Sequence, residues 1–503
     1  MRQRHVSLHE RIRLDNTSSV PLHRQIYQWV RRAILDGQLQ PGQRLPSTRT
    51  LAGELGVSRN TASTAYEQLQ AEGYIERTVG QGTSVASFFP EAPPSARAAS
   101  QELAPGYPAI SAPDLSPFGR IMAEQRRNVP LFLMQRRPAE LRAFRLGMPA
   151  LDQFPYRLWT RLLTRHARHS LPAQADYQEI PGYRPLREAI AAHIAITRGV
   201  RCRPDHILIT SGAQAALDLT VRLVVDKGDA VWMEDPGYPG ARVVLESTGA
   251  CLTSVPVNAN GMEVAFGRTA SPQARLVYVT PSHQFPLGVT MKLEQRLALL
   301  QWASQARAWI VEDDYDSEYR FAGRPVEALQ GLDQANRVIY IGTFSKVLFP
   351  SLRLGYVVAP AALMEPLTLV QRFLNTHPPV LEQMALTDFL TEGHFARHLR
   401  RMRTLYAARK EALLTAIRHE CGELLEARAP EAGMHLVGWL PPGMDDTEIE
   451  QRAEQKGIEA VALSPMSRQP MPRGGLVLGY AGCNEQEIQA GVRTLARVLQ
   501  ECR

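Results

Sequence analysis

Lys346 is the first residue that suggests chemistry, because lysine is scarce in this chain. Of the 503 residues, 57 are Lys or Arg; five of these are Lys, so the other 52 are Arg. Where only positive charge is needed, the chain uses Arg. The amine of Lys differs in that it can lose its proton and condense with an aldehyde, whereas a guanidinium stays protonated. Lys346 follows the apolar run 338–341, and ligands of open α/β sheets bind at the ends of such strands. The alternative is an ordinary solvated lysine.

Other side chains near predicted strand ends suit pyridoxal phosphate, an aldehyde cofactor with an aromatic ring and a phosphate. Such a site needs a carboxylate for the ring nitrogen, a donor for the phenolic oxygen and an aromatic ring that stacks on the cofactor. The run 311–316 offers Asp313 and Tyr315, and the run 234–238 ends in Tyr238. Each has a plain structural alternative, such as a helix cap or a core aromatic, but their joint order favours the cofactor site.

The same site needs a cradle for the phosphate. The run 211–214, Ser-Gly-Ala-Gln, opens a predicted helix directly after a strand, so its backbone N–H groups point at an anion. A plain turn between strand and helix is the alternative there. The cradle is expected to comprise Ser211, Gly212 and Ala213, closed by Thr343, Ser345 and Arg353.

The elements that must position these residues are short apolar runs that alternate with helical patterns beyond about residue 139. This alternation predicts an α/β domain with a mostly parallel sheet and helices on both faces. The expected strands are 207–210, 230–233, 276–280, 309–312 and 338–341.

The first 88 residues have a different pattern. Helices are predicted over 21–36, 51–55 and 59–72, with Gly56 in the turn between the last two, which is the helix-turn-helix arrangement. Two short strands are expected over 73–85, around a tip at 80–82. Residues 1–89 contain 11 Arg, no Lys and 7 acids, so their net charge is 11 − 7 = +4. That excess suits a small DNA reader, although a protein-interaction module is the alternative.

A stretch rich in Pro, Ala and Ser separates the two regions. We therefore predict a DNA-binding domain at 1–88, a linker at 89–139 and a large domain at 140–503. The five cysteines are scattered and lack paired spacing, which argues against a disulfide framework or a metal site and favours a reducing compartment. No run of about 18 apolar residues occurs, so we expect a cytoplasmic protein without a membrane segment.

The N-terminal stretch from Pro21 to Val85 resembles the winged helix of the GntR regulator family, through the runs 39–42, 45–49, 57–59 and 80–82. The resemblance implies binding to double-stranded DNA. The implied contacts are Arg49, Arg59, Asn60, Thr61 and Ser63, with the wing tip at Gly80 and Gly82.

The whole chain resembles the MocR/GabR subfamily, in which a GntR winged helix is fused to a fold-type I aminotransferase-like domain with a small C-terminal α/β subdomain. The resemblance implies a transcription regulator and homodimer that holds pyridoxal phosphate through a Schiff base at Lys346. Asp313 is then implied for the ring nitrogen, Tyr315 for the phenolic oxygen and Tyr238 for stacking. Tyr177 matches the tyrosine that reaches a neighbouring subunit's phosphate.

Two departures from aminotransferases bear on function. Phe285 stands where they carry Asn, and the run 475–480 lacks their carboxylate-binding Arg. Arg468 and Arg473 are the nearest candidates for binding an effector carboxylate. We therefore expect a sensor of an amino compound or of pyridoxal phosphate itself, with at most weak half-reactions. A working aminotransferase and a domain that has lost its cofactor are the alternatives.

Overall fold

The computed structural model describes two compact units, residues 1–114 and 115–503, each with a core of its own. The residues described are 12, 14–16, 18, 20–78, 82–87, 115, 116, 118–120, 123, 143–169, 176–321 and 326–503. The predicted linker at 89–139 falls almost wholly outside them, so the domain boundaries stay predictions. Among the described helices, none is long and apolar enough to cross a membrane.

The first unit is a winged helix-turn-helix. Its elements are α1 (Leu22–Leu35), β1 (Arg44–Leu45), α2 (Thr48–Leu55), α3 (Arg59–Ala71), β2 (Ile75–Thr78) and β3 (Gly82–Val85). The three strands form an antiparallel sheet in the order β1-β3-β2. The prediction of three helices and a hairpin is confirmed, while β1 was not predicted.

Local chemistry sets the helix ends in this unit. The hydroxyl of Ser47 accepts the N–H of Thr50 at 3.1 Å and starts α2; Ser58 accepts the N–H of Thr61 at 3.1 Å and starts α3. Gly56 ends α2 with a φ of +66°, which glycine adopts without strain. The two helices are thereby joined by a turn of fixed geometry.

The second unit is an α/β domain built on an eight-stranded sheet in the order β4-β11-β10-β9-β8-β5-β6-β7. Its strands are β4 (Ile207–Thr210), β5 (Ala230–Asp235), β6 (Cys251–Asn258), β7 (Gly261–Met262), β8 (Leu276–Val279), β9 (Trp309–Asp314), β10 (Val338–Thr343) and β11 (Gly355–Val358). All five predicted strands are present. The pairs from β10 through β9, β8 and β5 to β6 are parallel, whereas β11 and β7 are antiparallel to their neighbours.

Helices cover both faces of this sheet. They are α4 (Tyr156–His169), α5 (Arg184–Arg198), α6 (Ala213–Val224), α7 (Pro239–Ser247), α8 (Val264–Ala270), α9 (Leu293–Ala306), α10 (Leu329–Leu332), α11 (Ala361–Leu374), α12 (Val380–Thr391) and α13 (His394–Glu420). Separate apolar clusters lie on the two faces, and they bury the strands β4, β8, β10 and β11 completely.

The C-terminal part is a small subdomain with an antiparallel sheet in the order β12-β13-β15-β14. Its elements are β12 (Glu426–Ala427), β13 (His435–Trp439), α14 (Asp446–Gln455), β14 (Val461–Ala462), β15 (Gly475–Gly479) and α15 (Glu485–Glu501). The predicted strand-like run at 475–480 is β15. The fold class expected from the sequence, including this subdomain, is confirmed.

Candidate functional site

A cavity of about 290 Å³ lies where the parallel strands of the large sheet end. Because β4, β5, β8, β9 and β10 run in one direction, the residues that follow them meet at the same edge. Eight of the predicted site residues line the cavity together: Lys346, Asp313, Tyr315, Tyr238, Ala213, Thr343, Ser345 and Arg353.

Lys346 lies in the turn after β10, and its amine packs against the backbone of Gly147. A Cβ on Gly147 would stand 2.4 Å from the Lys346 Nζ, so a side chain there would displace the amine. Burial lowers the pKa of Lys346; Asp316 and Asp313 oppose this, and Arg353 adds to it. The pocket thus favours the neutral, nucleophilic form of the amine more than the surroundings of a surface lysine do.

Asp313, at the end of β9, presents one oxygen without a partner. Its Oδ2 accepts the hydroxyl of Tyr278 at 2.7 Å, whereas Oδ1 is buried and has no hydrogen bond within the described chain. Burial raises the pKa of Asp313 to about 6, although the Tyr278 hydrogen bond and Lys346 favour its ionised form. A buried carboxylate oxygen of this kind requires a donor.

Tyr315 belongs to a buried polar network beside the cavity. Its hydroxyl donates to the carbonyl of His283 at 2.9 Å, and the Asp316 carboxylate lies 3.1 Å from the His283 Nδ1. Burial raises the pKa of Tyr315 well above its ordinary value, so its phenol stays protonated. Three potential metal ligands, on His283, Asp316 and His435, lie within 4.8 Å of one another. The Asp316–His283 pairing already occupies two of them.

Three of the residues predicted to hold a phosphate, Ser211, Gly212 and Arg353, lie together at the start of α6. Gly212, with a φ of +101°, precedes the helix, and a Cβ on it would lie 3.4 Å from the guanidinium of Arg353. Arg353 donates from Nη2 to the carbonyl of Ser211 at 2.8 Å. The hydroxyl of Ser345, which lines the cavity, is buried and lacks a hydrogen-bond partner among the described residues. Helix N–H groups, a guanidinium and an unpaired hydroxyl together form an anion site.

Tyr238 and Phe285 are two of the aromatic residues that line the cavity. Tyr238 precedes α7, its hydroxyl lies 3.3 Å from the Gln214 Oε1, and its ring meets that of Phe285 edge-on at 5.6 Å. Burial raises the pKa of Tyr238, which keeps it neutral. Phe285 also meets Tyr315 edge-on at 6.1 Å, so its apolar ring contacts both tyrosines.

Five predicted residues of the large unit lie outside the cavity lining: Ser211, Gly212, Tyr177, Arg468 and Arg473. Ser211 and Gly212 lie against Arg353 at the start of α6. Tyr177 is 84% exposed. Arg468 donates its backbone N–H to Asp235 at 2.9 Å and its Nη1 to Leu252 O at 3.3 Å. Arg473 donates to Glu426 at 3.0 Å and stacks over Trp439.

The sequence reasoning missed four residues that line the cavity: Arg145, Gly147, Tyr278 and His435. Tyr278 lies inside a predicted strand, and its aromatic hydroxyl was the only available signal. Arg145 and Gly147 lie before α4, where no motif marks them. Burial and the neighbouring His283 lower the pKa of His435 to about 3, so it remains neutral.

The candidate DNA-reading surface is the N-terminal end of α3 with the start of α2. Arg49, Arg59 and Asn60 are exposed, and the part of the chain that is described offers their side chains no ion pair or hydrogen bond. Thr61 instead bonds the Ser58 cap at 2.8 Å, and Ser63 donates to Glu67 at 3.0 Å. In the wing, Gly82 has a φ of +93°, while Gly80 lies outside the described residues.

Comparison with known proteins matches both units. Residues 22–85 match the family "Bacterial regulatory proteins, gntR family", and residues 153–495 match "Aminotransferase class I and II". The second match spans more than half of the chain.

Among relatives, the probable rhizopine catabolism regulatory protein MocR of Rhizobium meliloti is 43% identical over 96% of this chain and 94% of its own length. The pyridoxine biosynthesis transcriptional regulator PdxR of Corynebacterium glutamicum is 30% identical, with 94% of each chain covered. The solved structure of the α-aminoadipate aminotransferase LysN from Thermus thermophilus, complexed with N-(5'-phosphopyridoxyl)-L-leucine, superposes with a TM-score of 0.67. It is 29% identical over 76% of this chain and 95% of that one. The chain therefore belongs to the MocR family of transcription regulators, in which a gntR-type helix-turn-helix domain is joined to an aminotransferase class I and II domain.

Proposed function

We propose that the cavity of the large unit binds pyridoxal phosphate and that this regulator senses a ligand there. The observation that carries the proposal is the buried Asp313 Oδ1, which lacks a donor in the cavity that Lys346 lines. A protonated ring nitrogen supplies that donor. The unpaired Ser345 hydroxyl in the same cavity lining fits a phosphate in the same way.

Each residue then has one role. Asp313 holds the ring nitrogen, Tyr315 faces the phenolic oxygen and Tyr238 stacks on the ring. The amine of Lys346 is the group that bonds the aldehyde. When bound, pyridoxal phosphate supplies an aldehyde that exchanges amines and a ring whose absorbance reports that exchange. The phosphate is held by Ser211, Gly212, Ala213, Thr343, Ser345 and Arg353.

The cavity favours sensing over sustained turnover. Phe285 offers no hydrogen bond to the phenolic oxygen, so Tyr315 is the candidate donor on that side, and its hydroxyl must then give up its present bond to the carbonyl of His283. The effector is an amino compound or pyridoxal phosphate itself. The second candidate function, a working aminotransferase, draws on the likeness to enzymes such as LysN. Turnover of an amino acid and a keto acid near the usual enzyme median of about 10 per second would establish it.

We also propose a homodimer that reads DNA. Tyr177 is exposed in the single chain, as expected of a side chain that reaches a neighbour's phosphate. The exposed Arg49, Arg59 and Asn60 supply donors for base edges and phosphates at the end of α3. Thr61 and Ser63 stay candidates for contacts with DNA, but each must first give up the hydrogen bond that its hydroxyl makes to Ser58 or Glu67. A regulator of this kind acts in the cytoplasm, where bacterial DNA lies.

Lys346→Ala should abolish the shift in absorbance that pyridoxal phosphate undergoes on binding, because no other amine faces the cavity in the described chain. Absorbance spectra after gel filtration measure this. Lys292→Ala, which removes an exposed lysine at the start of α9, is the matched control and should behave like the wild type. An unchanged spectrum in Lys346→Ala would refute the assignment.

Asp313→Asn should weaken pyridoxal phosphate binding about tenfold or more at pH 8, since it removes a charged acceptor. The pKa of Asp313 is raised to about 6, so its ionised form dominates above pH 6 and is lost as the pH falls through that value. The advantage of wild type over variant should therefore shrink from pH 8 to pH 5. Equilibrium dialysis at both values gives the ratio; a constant ratio would contradict the role.

Light scattering on the cofactor-bound protein should give the mass of a dimer at micromolar concentration. In that dimer Tyr177→Ala should weaken cofactor binding, although Tyr177 does not line the pocket of its own chain. A monomer, or a variant with unchanged affinity, would remove the proposed crossing contact.

Arg59→Ala should cost about 1–3 kcal/mol of specific DNA affinity, because a base or phosphate loses its donor. Fluorescence anisotropy on the protein's own promoter at several salt concentrations measures this. Arg32→Ala on α1, an equally exposed arginine that pairs with Asp36 at 3.7 Å, is the control and should bind like the wild type. Equal losses in both variants would indicate a general effect of charge and not a contact.

A further inference from the structure

Two arginines line the cavity, and they have different surroundings. Arg353 is bonded to the carbonyl of Ser211 and stands against Gly212, at the anion site that opens α6. The positive charge of Arg353 is therefore explained by binding of an anion at the start of α6. Arg145 belongs to the segment 143–148. This segment lies near the N-terminal end of the large domain's sequence and lines the cavity beside Lys346.

The backbone around Arg145 is firmly held. The carbonyl of Phe144 accepts the N–H of Gly479 at 2.9 Å, and the carbonyl of Ala143 accepts the N–H of Glu459 at 3.0 Å. A Cβ on Gly479 would lie 2.3 Å from the Arg145 carbonyl, so the segment packs directly on β15. Two residues later, Gly147 touches the amine of Lys346. Arg145 is therefore placed at a defined distance from that amine before any ligand arrives.

The guanidinium of Arg145 is incompletely paired. In the described chain its one ion pair joins Nε to the Glu459 Oε2 at 3.9 Å, beyond hydrogen-bond distance, and both side chains are 25% exposed. A guanidinium has five N–H donors. The described residues offer these donors no acceptor within hydrogen-bond distance, and Arg145 lines the cavity.

The acids of the cavity do not neutralise Arg145, because each has another partner. Asp313 accepts from Tyr278, and Asp316 is paired with His283. Arg145 and Arg353 both oppose protonation of Lys346, which places the positive charge of Arg145 near the reacting amine.

We propose that Arg145 binds the carboxylate of an effector whose amine reaches the Lys346 end of the cavity, so that the ligand class is amino acids. The inference rests on the proposed cofactor function of the cavity and specifies its ligand. It supplies the carboxylate-binding arginine that β15 lacks. Arg468 and Arg473 are less suited, since both are bonded outside the cavity lining.

The test uses the full-length protein loaded with pyridoxal phosphate and follows its absorbance during titration with matched ligands. Glycine, β-alanine and 4-aminobutanoate are each compared with the amino alcohol of the same length. In the wild type, the best-fitting acid should bind about tenfold tighter than its alcohol or better. Arg145→Ala should bring that ratio close to one, and Arg145→Lys should restore part of it because it keeps the charge.

Two further variants make the result specific. Arg428→Ala removes an arginine whose side chain is 84% exposed and should leave the ratio unchanged. Arg468→Ala should also keep the ratio; its loss there, with Arg145→Ala unaffected, would overturn the proposal in favour of Arg468. A wild type that binds acids and alcohols equally would overturn it as well.

Cofactor affinity separates this inference from the proposed function. Arg145→Ala should bind pyridoxal phosphate within about threefold of the wild type, since the proposed phosphate contacts at the start of α6 include Arg353 and not Arg145. A large loss of cofactor affinity would show that Arg145 serves the phosphate and would overturn the proposal. Failure of the wild type to bind the cofactor would instead refute the proposed function itself.

Discussion

A lysine amine attacks an aldehyde only after it has lost its proton, and the surroundings of Lys346 meet that constraint. Burial favours the neutral amine, and the guanidinium groups of Arg353 and Arg145 favour it further. The carboxylates of Asp313 and Asp316 favour the protonated amine instead, but other interactions weaken the effect of each. Asp313 has a pKa raised to about 6, and the charge of Asp316 is shared with His283. The close approach of Gly147 then holds the amine at the cavity wall, so electrostatics and packing act on the same atom.

The acidic run at the end of β9 shows how one strand separates structural from functional carboxylates. Successive side chains of a strand point to opposite faces. Glu312 accepts the N–H groups of Leu329 and Gln330 at the start of α10. Asp314 pairs with Arg198 at 2.7 Å. Asp313 and Asp314 each retain one buried oxygen without a partner among the described residues, but of the two Asp313 lines the cavity. Carboxylates thus stabilise the fold at positions 312 and 314 and offer a ligand contact at position 313.

Much of this architecture could be predicted from the sequence, because buried parallel strands are continuous apolar runs and their ends mark the ligand edge. Lys346, Asp313 and Tyr238 were all located in this way. The parts that were missed depend on tertiary contacts. Arg145 and Gly147 are far from Lys346 in the sequence, and β15 brings them to it. The antiparallel strand β11 was missed too. Its four-residue run directly follows the turn at Arg353, and its pairing with β10 and β4 is defined only once the sheet has assembled. The roles proposed for all these residues still require the measurements.

Division of the chain into two units limits how a ligand can affect DNA binding. Each unit buries its own apolar core, so a ligand at Lys346 need not alter the fold of the helix-turn-helix. It can change the affinity for DNA only by binding one arrangement of the units more tightly than another. The same linkage requires DNA to change the affinity for the ligand by an equal factor. Arg145 and Lys346 approach the cavity from different parts of the large unit, one on the segment that packs on β15 and the other after β10. A ligand that binds both Arg145 and Lys346 therefore links the small subdomain to the main sheet. Through this link, ligand binding can favour one arrangement of the two units over another.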